Sequence, residues 1–208
     1  MRLIKTTLIT LLALIFINPI PWAIADDLTP TLGDDGHYQF DWYHQSFLEL
    51  ADDLDEALAD DKVLMVMLVQ KGCIYCKKVA TEILTEPLVN EYVKSNFLVV
   101  QLDIFGSRDV TDLDGETLAE NEMAAKWGVV FTPSIYFVTE KTGENSLPKA
   151  AAALMPGAFM RGTFYGMLEW VKTEAYKTEP RFQKYYNDKF PEIREKLKAA
   201  KAAANGQS

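Results

Sequence analysis

Residues 62–78 read KVLMVMLVQKGCIYCKK. From Val63 to Val69 every side chain is apolar and none alternates with a polar one, the pattern of a strand covered on both faces. Gly72 breaks the run, and a helix is expected to begin at Cys73 with Cys76, Val79, Ala80 and Ile83 on one face. That arrangement turns Cys76 toward the core and leaves Cys73 at the open end. A C-x-x-C motif between a buried strand and a helix start is a place where a dithiol becomes reactive. The unpaired N–H groups and positive dipole end of the helix favour a thiolate at Cys73, and Lys71, Lys77 and Lys78 add positive charge. The Cys73 thiol should therefore ionise below the free value near 8.5, in the range of about 3.5 to 7.5. Cys73 would attack a partner's disulfide as nucleophile, and Cys76 would resolve the mixed disulfide. A static disulfide and half of a zinc site are the other readings. Zinc wants four N or S ligands, and beyond the two cysteines only His37 and His44 are available, both read as surface residues.

Outward from this stretch, strands and helices alternate. Ser46-x-x-Glu49 has the form of a capping box and predicts a helix from Ser46, with Phe47, Leu50, Leu54, Ala57 and Leu58 as its apolar side. Asp26 to Gln39 is rich in Asp, Gly and Pro, so residues 26–45 read as an irregular lead-in. On the other side, Pro87 starts a helix through Val93, and Phe97 to Ile104 is a second buried strand. Gly106 to Gly115 reads as a long loop; its acids Asp109, Asp112, Asp114 and Glu116 lack EF-hand spacing and suggest a solvated segment beside the dithiol. Thr117-x-x-Glu120 predicts a capped helix to Trp127. Val129 to Val138 is a strand interrupted by Pro133, Ala150 to Leu154 its antiparallel partner, and Phe164, Leu168, Val171 and Ala175 the stripe of a long helix. Met65 and Met67 read as core fillers. The expected fold is α/β, a central mixed β-sheet flanked by helices.

The chain has 208 residues, 49% of them hydrophobic and 25% charged, enough to bury a core without disulfide staples and ordinary for a globular protein. A net charge of -9 opposes binding to phosphate backbones, so no nucleic-acid partner is expected. The charge is unevenly placed: residues 177–208 hold 8 basic and 4 acidic side chains, against 11 and 26 for residues 26–176. The domain is therefore set at 46–176, followed by a basic helical extension over 177–208 in which Phe182, Tyr186, Phe190, Ile193 and Leu197 coat the body and the stretch from Lys198 frays. Arg2 and Lys5, the apolar run Leu8 to Ile17 and Ala23-Ile24-Ala25 form a secretory signal over 1–25, cut after Ala25. The run is too short to cross a bilayer, so the cleaved protein is not expected to span one. Export places the cysteine pair where disulfides persist.

The order strand, C-x-x-C helix, strand, helix, Thr-Pro strand and hairpin resembles the thioredoxin superfamily over about Asp60 to Tyr176. The resemblance implies a proline in cis at Pro133, opposite the dithiol, with Thr132 and Pro133 contacting the substrate backbone. Tyr75, inside the motif, reads either as a cover over Cys73 that shapes partner binding or as an exposed tyrosine. More narrowly, GCIYCKK, QLDIFGSRDVTDLDGE and MAAKWGVVFTPSIYF are similar to the periplasmic SoxW-type thioredoxins. That similarity implies a periplasmic thiol-disulfide oxidoreductase, and the protein is expected to be a monomer that uses no cofactor or metal. It would reduce a protein or carrier-protein disulfide in sulfur oxidation, with a membrane thiol transporter as electron donor. Met67 stands where many thioredoxins carry a buried Asp that serves the resolving thiol, and Ile74-Tyr75 matches neither the Gly-Pro of general thioredoxins nor the Pro-His of strong oxidases. A function from another class is a binding module that uses the groove at Pro133, with the cysteines as a structural disulfide.

Overall fold

Sheet pairing follows from the two buried strands. In the computed structural model, which describes residues 28–143 and 145–205, β3 (Val63–Val69) pairs in parallel with β4 (Phe97–Asp103) and antiparallel with β7 (Ser134–Val138). β7 in turn pairs antiparallel with β8 (Ala153–Pro156), giving the order β4-β3-β7-β8. The signal segment and its cleavage point after Ala25 lie outside the described residues.

The absence of alternation in β3 has a direct cause. Its odd-numbered residues Val63, Met65 and Met67 pack on one face with α3 (Pro87–Asn96), α6 (Arg161–Lys172) and α7 (Phe182–Asn205). Leu64, Val66 and Leu68 pack on the other with α1 (Leu50–Ala59) and α4 (Glu120–Lys126). Both faces are dry, so a polar residue has no place on either. The fold is thioredoxin-like, a mixed sheet between helices with a helical C-terminal extension.

Several local expectations are corrected. α1 begins at Leu50, because Ser46 Oγ accepts from Leu48 N–H at 2.6 Å and donates to Asp53 at 2.6 Å rather than capping a helix at Ser46. Phe47 is consequently 95% exposed instead of facing the sheet. α3 runs to Asn96, three residues past Val93. The long loop contains a hairpin of β5 (Asp109–Thr111) and β6 (Thr117–Ala119), so Thr117 lies in a strand and caps nothing. Glu120 turns back instead, accepting from Asp103 N–H at 2.9 Å and pairing with Arg108. Asp112 is fully buried, not solvated: it accepts from Lys126 Nζ, Trp127 Nε1 and the Leu147 N–H. Leu147–Ala150 forms a short helix, α5, that delays the partner strand to Ala153. Ala175 belongs to a separate 3₁₀ turn, Ala175–Lys177.

At the ends, the lead-in is irregular apart from one small hairpin. Thr31–Leu32 (β1) and Tyr38–Gln39 (β2) pair as a hairpin, after which Phe40 and Tyr43 are buried in the core. His37 is not a surface residue, and His44 is only partly exposed. His37 is 7% exposed and bonded to Asp103, and His44 pairs with Asp53. The extension is one helix that remains helical to Asn205 rather than fraying from Lys198, and Ile193 is fully buried against the body. Among the described residues, no helix is long and apolar enough to cross a membrane.

Candidate functional site

β3 ends at Val69, and the chain turns through Gln70, Lys71 and Gly72, whose φ of +73° is one that a side chain would strain. The turn delivers Cys73 to the N-cap of α2 (Ile74–Lys78), where its Sγ accepts from Cys76 N–H at 2.9 Å. Sulfur thus occupies the place a serine or aspartate oxygen takes in an ordinary cap, and the Cys76 N–H points at it. The helix widens into a π-turn over Val79–Ile83 that buries Val79, Ala80 and Ile83. That burial ties the C-terminal side of the motif to the core.

Cys73 and Cys76 form a disulfide with Cα atoms 5.2 Å apart. Contrary to the expectation that Cys76 alone is sheltered, both cysteines are half-buried. The two differ in their neighbours. Thr132 Oγ1 lies 3.3 Å from Cys73 Sγ and its carbonyl oxygen 3.6 Å away, while both cysteines line a cavity shared with Met67 and Ala80. The Thr132–Pro133 peptide is cis. Ser134 Oγ donates to the Phe131 carbonyl at 2.9 Å and Gly157 N–H to the Pro133 carbonyl at 2.7 Å, fixing this segment from both sides. Ile74 and Tyr75 on one segment and Val130 and Phe131 on the other are exposed apolar side chains flanking the disulfide. Tyr75 therefore stands beside the dithiol, open to solvent.

The cavity beside the disulfide has a volume of about 230 Å³ and reaches back to the lead-in, where His37 of the β1–β2 hairpin and Tyr43 line it. Tyr43 hydroxyl donates to Met67 Sδ at 3.9 Å, and burial pushes its ionisation far above the ordinary phenol range. Sequence reasoning missed these lead-in residues because Asp, Gly and Pro dominated that stretch. The available signal was its aromatic density, Tyr38, Phe40, Trp42 and Tyr43 within six positions, which a solvated linker does not need. Among the described residues, no cluster of three or more His, Cys, Asp or Glu side chains could hold a metal.

A family model described as a thioredoxin-like domain matches residues 50–168, more than half of the chain. The chain belongs to the thioredoxin-like domain family. No curated protein matches it significantly. Among solved structures, a thioredoxin-fold protein from Helicobacter pylori is 19% identical, with a TM-score of 0.45 over 72% of this chain and 88% of its own. A thioredoxin from Thermus thermophilus is 22% identical, with a TM-score of 0.46 over 59% and 83%. A DsbH oxidoreductase is 15% identical, with a TM-score of 0.40 over 60% and 82%. In this thioredoxin-like domain the cysteine pair is at disulfide distance at a helix start, consistent with thiol-disulfide exchange.

Proposed function

We infer that the protein is a secreted, periplasmic thiol-disulfide oxidoreductase that works as a monomer. Cys73 is the nucleophile and Cys76 the resolving thiol. The observation that carries this reading is the half-buried Cys73 Sγ at the cap of α2, reached by the Cys76 N–H on one side and by the Thr132 hydroxyl on the other. Sulfur so placed is stabilised as a thiolate and remains open to a partner. The partner chain would lie along Thr132 and Pro133, with Tyr75 against it. The reaction direction is reduction: Cys73 thiolate attacks a substrate sulfur, Cys76 displaces the substrate thiol, and the Cys73–Cys76 disulfide is left behind. A membrane thiol transporter then returns two electrons. Similarity to the SoxW-type thioredoxins in three segments supports a protein or carrier-protein substrate in sulfur oxidation.

The test is trapping and turnover together. Reduced wild-type protein should turn over a model disulfide, and Cys73→Ser should abolish that. Cys76→Ser should accumulate a Cys73-linked partner in the periplasm, to be named by mass spectrometry. Turnover that survives Cys73→Ser overturns the reading. So does a reduction potential well below roughly -300 mV, which marks a structural disulfide and favours the binding-module reading.

A further inference from the structure

Resolution requires Cys76 to lose a proton. A free thiol ionises near 8.5, and partial burial disfavours its thiolate further, so a base in reach speeds the step. Met67 supplies none. The side chains that share the Cys76 cavity include Tyr38, Tyr43, Lys77, Gln101 and His37. Tyr43 is held protonated by burial and spends its hydroxyl on Met67, an ammonium has no lone pair, and an amide does not titrate. Histidine is the side chain that takes and returns a proton near neutrality.

His37 is also placed for the task. It is 7% exposed, its Nε2 lies 3.0 Å from Asp103 Oδ2, and its backbone N–H donates to Asp35 Oδ1 at 3.0 Å. With Nε2–H donating to Asp103, Nδ1 carries the lone pair. His37 lines a second cavity as well, a polar one of about 100 Å³ with Asp35, His44, Asp103 and Arg108. It therefore stands between the dithiol cavity, which has room for bridging water at about 30 Å³ each, and a polar exit. We propose that His37, oriented by Asp103, is the proton acceptor for Cys76 and hands the proton on through the polar cavity.

The proposal rests on the oxidoreductase reading. In the step, Cys76 Sγ gives its proton to Nδ1 through water, and the electron pair left on sulfur forms the bond to Cys73 Sγ. The Cys73–substrate bond breaks, its electron pair leaves on the substrate thiolate, and that thiolate takes a proton from solvent. The dithiol loses two electrons and the substrate disulfide gains them. The charged and titratable groups around His37 are Asp35 and Tyr38 on its own hairpin, Asp103 on β4 with Arg108 and Glu120 behind it, Tyr43 and His44, and Lys71 and Lys77 from the dithiol side.

The experiment is stopped-flow reaction of the reduced full-length protein with dithiobis(nitrobenzoate). One chromophore leaves when Cys73 attacks and a second when Cys76 resolves. In His37→Gln the first release should be unchanged, while the second slows at least about tenfold at pH 7 and loses its histidine-range pH limb. In Asp103→Asn the imidazole remains but loses the carboxylate that orients it, so the second release should slow by less than in His37→Gln, with the first unchanged. A second release in His37→Gln with wild-type rate and pH profile overturns the relay. So does slowing of both releases alike, which marks a packing role. Failure of wild type to give a fast first release instead sinks the oxidoreductase reading, a different result.

Discussion

Cys73 has two donors aimed at one sulfur: the Cys76 N–H at 2.9 Å and the Thr132 hydroxyl at 3.3 Å. Hydrogen bonds to the charged form favour that form, so both lower the cost of the thiolate. Among the described residues no such donor reaches Cys76 Sγ. Iodoacetamide at mildly acidic pH should therefore label Cys73 first in the reduced protein, with a rate that rises through a pKa below that of free cysteine. Equal labelling, or labelling of Cys76 first, would contradict the assignment of nucleophile. Thr132→Val keeps the side-chain shape and removes one donor. It should slow Cys73 alkylation at pH 6 by about three- to tenfold, the worth of one hydrogen bond, and an unchanged rate would show that the hydroxyl does nothing for the thiolate.

At the level of elements, the strands were the most legible part of the sequence. An unbroken apolar run such as Val63–Val69 can be satisfied only by two dry faces, so its place inside the sheet follows from composition alone. The place of the cysteine pair at a helix start was equally legible, since a glycine turn and a C-x-x-C fix a cap and a first helical turn locally, but the equal burial of the two cysteines was not. Polar spacing was less informative, because a long-range partner can outbid a local one. Ser46 matches a capping box but spends its hydroxyl on Asp53, and Glu120 matches one but pairs with Arg108 across the hairpin. His37 was illegible for the same reason: Asp103, which orients it, lies 66 positions away. Asp112 shows the energetic weight of such partners. Asp112→Ala should strand Trp127 Nε1 and Leu147 N–H and cost about 3 kcal/mol in urea unfolding while leaving Cys73 labelling unchanged. A loss under 1 kcal/mol would mean that water replaces the carboxylate. Helix packing gives a second case. A Cβ at Gly166 would meet Tyr186 Cδ2 at 2.8 Å and Ile193 Cδ1 at 3.1 Å, so Gly166→Ala should push α7 off α6 and cost about 1–3 kcal/mol.

At the scale of the whole molecule, the basic extension is held to the acidic body by its apolar stripe and by its charges. Phe182 and Trp170 rings lie 5.5 Å apart, and Lys196 bridges Glu169 on α6 and Glu192 on its own helix. The Arg181 and Lys184 side chains pull the Glu179 carboxyl down to about 2, and Lys196 and Lys189 do the same for Glu192. Both groups thus ionise more readily folded than unfolded. The stability they contribute is fully present above the ordinary glutamate value of 4.5 and is lost as pH falls toward about 2. Asp53 works in the opposite sense, since burial raises its pKa and makes its neutral form the one the fold prefers. The total pH curve therefore mixes signs, and a difference measurement isolates the extension. Urea midpoints of wild type and of Glu179→Gln/Glu192→Gln should differ at pH 7, with the variant lower, and converge as pH drops from 4.5 toward 2. Because these pairs lie at the surface, 1 M salt should shrink the gap at pH 7. A gap that persists into acid would assign the loss to packing of α7 rather than to its charges.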